Sequence, residues 1–224
     1  LPDFTLTAES THTIAEICNR LDGLPLAIEL AAARVGLLSP RDLQTKLERR
    51  LDVLTEGARD LPARQQTLRA TIAWSYELLD RAEQALLARL AVFVGGGTVE
   101  AIETVCGSAS SSARLDRLTA LVAKSMLQRV ENVRSEPRFI MLETIREFAL
   151  EQLNARDDAD AIRREHLAYY TTLIETMEPK MWGAEYETCA ARLDEELGNL
   201  RAALAWSLEV DDALKPDVAM GARL

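Results

Sequence analysis

Residue types that catalyse reactions or bind metals are sparse in this 224-residue chain. His12 and His166 are its two histidines. Neither has a cysteine or histidine partner at ligand spacing, so we expect no metal site. No side chain stands in a nucleophile–base pattern, and the scattered acidic residues fit solvated helix faces better than a carboxylate pair. An enzyme whose residues converge only in space stays open, but the sequence predicts no catalytic residue and no enzyme.

The triple glycine at 95–97 and the three cysteines have structural explanations. The glycines lack the Gly-Lys-Ser/Thr ending that supplies a phosphate-binding loop with its lysine and magnesium hydroxyl, so we expect a turn. Cys18, Cys106 and Cys189 are far apart and odd in number. They are typical of reduced, buried thiols in a cytosolic protein. No signal peptide opens the chain and no apolar run approaches membrane-spanning length, so we expect a cytoplasmic protein with no membrane partner.

The most informative stretch is an elbow between two predicted helices, 10–21 and 25–35. Gly23 suits the left-handed position just past a helix end, and Pro25 suits the first turn of the next helix. Together they present Leu24, Pro25 and Leu26 as a small apolar ledge. A tight helix–helix corner in an all-α core is one explanation of this pattern.

The string from Gly23 to Ala27 also closely resembles the GLPLA motif of signal-transduction ATPases with numerous domains, the NB-ARC/AP-ATPase group. Within that group the chain resembles bacterial transcriptional regulators of the LuxR or SARP type. The resemblance implies that Pro25 packs against the adenine of ADP or ATP, with Leu24 and Leu26 beside it. It further implies an upstream nucleotide-binding domain in the same protein. We expect no nucleotide bound to this chain alone.

The middle of the chain predicts a winged helix. Helices are followed by two short extended runs, 126–133 and 138–142, and by a closing helix over 143–153, with a β-hairpin expected between the runs. We expect Ser39, Asp80 and Thr98 to cap helices. We also expect a helix over 114–124 to turn Leu115, Leu118, Leu121 and Val122 inward. The strings at 65–79 and 138–149 resemble the opening and the end of the winged-helix domain in the same regulators.

One triplet departs from that family. Many of its members have Met-His-Asp where the hairpin meets the closing helix, and the histidine contacts the β-phosphate of the nucleotide. This chain has Met141-Leu142-Glu143 instead. The leucine side chain cannot form a hydrogen bond, so the phosphate contact is absent or comes from another group. We interpret Leu142 as a core residue.

A third helical unit is expected after residue 155. One predicted helix carries Tyr169, Tyr170, Leu173, Ile174 and Met177. A second carries a leucine stripe at 193, 197, 200, 204 and 208, and a third begins at 213. The segment 199–206 resembles the approach to tetratricopeptide-like (TPR-like) repeats, although a plain bundle fits equally well. The predicted fold is therefore mainly α, with a helical bundle at 1–60, a winged helix at 61–155 and TPR-like helices at 156–224.

Charge disfavours direct DNA binding by this chain. Residues 112–139 hold six basic and three acidic side chains, but the whole chain has a net charge of −10. Such a charge repels a polyanion at range. We therefore predict part of a nucleotide-gated transcriptional regulator, in which the winged helix is an intramolecular switch and the later helices sense a protein or small-molecule inducer. The alternatives are a helical protein-interaction module without a nucleotide role and a DNA-binding winged helix.

Overall fold

The computed structural model describes residues 8–21, 24–35, 38–46, 63–107, 111–131 and 136–209. They divide into two compact units, one within residues 1–84 and 121–126 and the other within 85–120 and 127–224. The three-domain division with boundaries after residues 60 and 155 stays a prediction. Three expected features lie outside the described residues: Gly23 of the elbow, the interdomain linker near residue 60, and the helix from 213.

The described chain is mainly helical, as predicted, with one small antiparallel sheet. No helix in the described ranges is long and apolar enough to cross a bilayer. The strands are β1 (Gly97–Thr98), β2 (Gln128–Glu131) and β3 (Pro137–Ile140). A 3-10 helix spans Glu178–Trp182. The α-helices are α1 (Ala8–Arg20), α2 (Pro25–Ala32), α3 (40–46), α4 (Ala63–Glu77), α5 (Arg81–Leu90), α6 (Val99–Val105), α7 (Ser111–Ala123), α8 (Glu143–Asn154), α9 (Ala159–Met177) and α10 (Tyr186–Glu209).

Helix starts follow the predicted caps. Ser39 accepts a hydrogen bond from the Asp42 N–H at 3.2 Å, and Thr98 accepts one from the Ala101 N–H at 3.2 Å. Asp80 Oδ1 accepts from the Glu83 N–H at 2.8 Å, and Glu83 Oε2 accepts from the Asp80 N–H at 2.9 Å. This reciprocal pair is a capping box, which satisfies two N–H groups that a helix start leaves without partners.

The first unit packs α1, α2, α3 and α4 around a small apolar core. Each helix contributes apolar residues from one face, at three- and four-residue spacing. The buried members are Ile17, Leu21, Ala27, Ala31, Leu43 and Trp74. Leu24, the first residue of the predicted ledge, packs against this cluster.

The sheet lies in the second unit and has the order β1-β3-β2, so β3 is central. Gly97 pairs with Phe139, and Arg129 on the other side also pairs with Phe139. The expected hairpin is present, but the prediction that the triple glycine forms only a turn is wrong at Gly97, which begins a strand. Gly95 and Gly96 do turn the chain, both at φ +84°. A two-residue strand is too short to show an alternating pattern, so the sequence does not reveal β1.

Helix α10 buries a polar face, which corrects the predicted leucine stripe. Leu197, Leu204 and Leu208 are exposed, Leu208 by 71%. The buried residues of this helix are Cys189, Glu196, Asn199, Ala203 and Ser207. A Cβ at Gly198 would lie 2.7 Å from the Val94 carbonyl oxygen, so the absent side chain allows α10 to approach the backbone there. The inward position expected for Leu115 in α7 is also wrong, since it is 48% exposed.

Candidate functional site

The predicted ledge lies at the start of α2. Leu24 is the N-cap residue, with extended φ −70° and ψ 118°, and Pro25 occupies the first turn, as expected. The Leu24 N–H donates to the Leu21 carbonyl at 2.9 Å, which fixes the corner. Pro25 is exposed, while Leu24 and Leu26 are half-buried. Pro25 therefore offers an apolar surface to another group, whereas Leu24 is tied to the core.

A groove of about 200 Å³ lies between α1, α2 and α3 of the same unit. Its lining is almost entirely apolar, and none of Leu24, Pro25 and Leu26 belongs to it. The lining residues are Ile14, Ile17, Cys18, Ile28, Ala31, Ala32, Val35, Pro40 and Leu43. Their helical spacing is visible in the sequence, but the sequence gives no sign that the three helices leave a gap between them.

Arg34 is a buried charge in the first unit that sequence reasoning missed. It is 1% exposed, and its Nη2 donates to the Ser75 carbonyl at 3.1 Å. Burial lowers the pKa of Arg34, with the charge of Glu83 acting in the opposite direction. Arg34 Nε and Ser75 Oγ have no hydrogen-bond partner among the described residues.

Three of the six basic side chains counted toward DNA binding are occupied or buried. Lys124 Nζ contacts Glu83 at 2.5 Å, and Arg114 is 5% exposed. Arg138 in β3 is also 5% exposed. Only Arg117 and Arg129, half-buried and exposed respectively, are accessible members of the set within the described residues, because Arg134 lies outside them. The local positive charge available to a phosphate backbone is thus smaller than the sequence count indicates.

Arg138 is the centre of a buried polar network in the second unit. Its Nη1 donates to Glu196 Oε1 at 2.5 Å, and its Nη2 donates to Glu196 Oε2 at 3.1 Å. The same guanidinium donates to the carbonyl oxygens of Gly95 and Gly96 at 2.9 and 2.8 Å. The forked pairing suits arginine, whose planar N–H groups match a carboxylate. The pair joins the central strand to α10.

Tyr170 and Asn199 complete this network. The Tyr170 hydroxyl donates to Glu196 Oε2 at 2.9 Å, and Asn199 Nδ2 donates to the same oxygen at 2.7 Å. Asn199 also accepts from the Val94 N–H at 2.7 Å and donates to the Gly96 carbonyl at 3.0 Å. Burial opposes ionisation of Glu196, but the hydrogen bond and charge of Arg138 lower its pKa overall. Every member is hydrogen-bonded, so the network stabilises one arrangement of β3, α9 and α10.

Leu142 lies where the family histidine would stand. It is the N-cap residue of α8, it makes no side-chain cap, and its carbonyl accepts from the N–H groups of Ile145 and Arg146 at 2.9 Å each. The side chain is half-buried. The next residue, Glu143, pairs with Arg146 at 2.7 Å. The triplet therefore acts as a helix start.

No group of three histidine, cysteine, aspartate or glutamate side chains in the described ranges is placed to hold a metal ion. The three cysteines are free thiols. Cys106 is buried, and burial raises its pKa to about 12. This thiol is poorly suited to nucleophilic chemistry, since the thiolate is the reactive form.

The order of elements from α5 to α8 is helix, short strand, two helices, two-stranded wing and closing helix. Residues 79–154, which hold these elements, match the family model described as a winged helix-turn-helix domain. This segment is a winged helix-turn-helix domain. The closing helix α8 and the wing strand β3 belong to it, whereas Tyr170 and Glu196 lie beyond its end.

The chain is similar to proteins of mycobacteria. It is 41% identical over 210 residues, 93% of its length, to candidate HTH-type transcriptional regulators of Mycobacterium tuberculosis strain H37Rv and Mycobacterium bovis. It is 40% identical over 171 residues, 74% of its length, to an uncharacterised protein of the same M. tuberculosis strain. The chain covers 24% of the first two proteins and 43% of the third. No solved structure matches it.

Proposed function

We propose that this chain is the regulatory segment of a larger transcriptional regulator, in which the winged helix-turn-helix domain is an intramolecular switch. The relatives named as candidate HTH-type regulators support the regulatory role. The observation that carries the switch is the pairing of Arg138 with Glu196. A basic residue of the wing strand is neutralised from within the chain by a helix beyond the domain.

In this proposal α9 and α10 belong to the sensor, and the switch is nucleotide-gated. An upstream nucleotide-binding domain would hold the phosphates of ADP or ATP, and Pro25 would contact the adenine. The exposed position of Pro25 in a fixed corner supports this contact. A coupling of about 1–3 kcal/mol between inducer and nucleotide would suffice for useful control.

The nucleotide role is tested in the protein extended upstream through its nucleotide-binding domain. The extended protein is purified without added nucleotide and denatured, and the released nucleotide is identified by chromatography. We expect stoichiometric ADP, and its loss in Pro25→Asp. Pro179→Asp is the matched control, because Pro179 is also exposed in the first turn of a helix. Unchanged affinity for ADP and ATP in Pro25→Asp would contradict the adenine contact, and a protein that binds neither would favour an interaction module.

Direct DNA binding is the second candidate function, favoured by the winged helix-turn-helix match. Fluorescence anisotropy of a labelled duplex, titrated with this chain between about 50 and 200 mM salt, distinguishes the two. If the domain is an intramolecular switch, we expect dissociation constants for the duplex no tighter than about 10 µM at either salt concentration. Such values lie within the usual range of non-specific DNA binding. Tight binding that weakens with salt and is lost in Arg117→Gln/Arg129→Gln would establish a DNA reader instead.

A further inference from the structure

A second groove, of about 220 Å³, lies in the second unit among the segment that follows α5 and the helices α8, α9 and α10. Neither Arg138 nor Glu196 belongs to its lining. Its lining combines small apolar residues, one tryptophan, one histidine and two arginines. These are Ala91, Val92, Val94, Arg146, Leu150, Arg163, His166, Ala202, Ala203, Ala205 and Trp206. The volume exceeds the roughly 150 Å³ of an engineered cavity that binds benzene, so an aromatic ring with one substituent fits.

Two arginines in the lining supply positive charge to the groove. Arg146 pairs with Glu143, and the side chains are 17% and 63% exposed. Arg163 pairs with Asp160, and the side chains are 22% and 70% exposed. The guanidinium groups are recessed while their carboxylate partners extend into water, where an ion pair contributes little. Arg146 Nη1 also donates to the Ala91 carbonyl at 3.2 Å, and Arg163 Nη2 donates to Asn154 Oδ1. Each guanidinium carries five N–H groups in a plane, so N–H groups remain for a further carboxylate.

His166 supplies an independent sign of a ligand. The residue is 3% exposed and lines the groove, and its Nε2 has no hydrogen-bond partner among the described residues. Its ring lies between Phe93 and Tyr170, with centroids 5.2 and 4.7 Å away. A buried polar atom without a partner is costly, and a native structure that retains one needs a reason. A ligand that hydrogen-bonds to Nε2 would supply the missing partner.

We propose that this groove binds a small aromatic carboxylate. Trp206, Leu150 and the alanines of α10 pack against the ring, Arg163 and Arg146 bind the carboxylate, and His166 Nε2 makes a hydrogen bond to the ligand. The apolar wall favours an organic ligand over an inorganic anion, and the recessed arginines favour an acid over a neutral ring. The site stands on these contacts alone and does not depend on the nucleotide-gated switch.

The test uses the ¹⁵N-labelled 224-residue chain and the indole N–H signal of Trp206, assigned with Trp206→Phe. The probes are phenylacetate, its neutral analogue phenylacetamide, and acetate, each to about 10 mM. We expect a saturable shift with phenylacetate and at least about tenfold weaker binding of the other two. Phenylacetamide loses a hydrogen bond between charged groups, and acetate loses the apolar contacts of the ring. A shift of equal size with phenylacetamide, or no saturable shift with any probe, would overturn the proposal.

Two variants locate the site. Arg163→Gln removes a charge from the groove, whereas Arg201→Gln removes one from an exposed position on α10 outside the lining. We expect about tenfold weaker phenylacetate binding in the first and no change in the second. Ala202→Leu, which fills part of the groove, should also abolish the shift. Equal effects of the two arginine variants would indicate non-specific charge attraction. Circular dichroism spectra establish that each variant is folded.

Discussion

Arg138 in β3 and Glu196 in α10 form a forked ion pair, with side chains 6% and 5% exposed. They are 58 positions apart in the sequence. The pair is enclosed by Tyr170, Asn199 and two glycine carbonyls, so each buried charge keeps polar partners. Such a pair is costly to break from one side, because the remaining charge stays buried.

Glu196→Gln should therefore lower the free energy of unfolding by about 3–5 kcal/mol. Asp194→Asn is the matched control, an exposed acid two residues earlier on the same helix, and should change it by less than about 0.5 kcal/mol. Urea unfolding followed by circular dichroism measures both. Similar losses in the two variants would show that charge on α10, and not the pair, stabilises the protein.

Gly96→Ala should destabilise the winged helix-turn-helix domain far more than Gly95→Ala. Both glycines have φ +84°, so the backbone strain of an L-residue is common to both variants and costs about 1–2 kcal/mol. A Cβ at Gly96 would also lie 2.3 Å from the Phe139 carbonyl oxygen, whereas a Cβ at Gly95 meets nothing within 4 Å. Thermal unfolding of the two variants isolates the cost of the collision with β3. Equal melting temperatures would mean that β1 and β3 do not approach as closely as described.

His166 should make stability depend on pH between about 6.5 and 4. Burial lowers its pKa from 6.5 to about 4, against the effects of Asn199 and Glu196. In this window the unfolded chain binds a proton that the folded chain does not, so the free energy of unfolding falls as the pH falls. The expected loss is about 3 kcal/mol between pH 6.5 and 4.

Urea unfolding at several pH values, with His166→Gln beside the unchanged protein, measures this contribution. The difference between the two should shrink as the pH falls through the window. His12→Gln is the control, since the His12 side chain is 75% exposed. The idea fails if His166→Gln keeps the pH dependence of the unchanged protein.

Ser125→Gly should stabilise the protein. Ser125 follows α7 and has a φ of 54°. It is the non-glycine residue with a positive φ in the described part of the chain. The next N–H, of Met126, donates to the Leu121 carbonyl at 3.0 Å, a bond typical of a helix end in a left-handed residue. Glycine adopts this conformation without a Cβ penalty, so we expect a gain of about 1 kcal/mol in urea unfolding. Ser125→Ala keeps the Cβ and should show no gain.

Local chemistry predicted much of the fold. The proline at the start of α2 and the caps at Ser39, Asp80 and Thr98 are set by residues within one helical turn, so the sequence displays them directly. The winged helix was predicted from the two short extended runs between the helices and the closing helix. Strand β1 could not be predicted in this way, because its two residues become a strand only through pairing with β3.

The buried network could not be predicted from the sequence either. Glu196 and Asn199 are polar, and a polar face on an amphipathic helix normally faces water. Here Arg138 and Tyr170 supply partners from distant segments, so the polar face is buried and leucines of the same helix are exposed. The ledge residues were placed correctly at a helix start, but their adenine contact stays a prediction.

The Arg138–Glu196 pair also limits how this sequence can diverge. A change at either position alone leaves a buried charge without its partner. A protein with only one of the two changes would therefore be less stable. Joint replacement by two apolar residues of similar volume avoids the stranded charge, although the Tyr170 hydroxyl and the Gly95 carbonyl then lose their partners. Among related chains that keep α10 against β3, positions 138 and 196 should therefore change together or not at all.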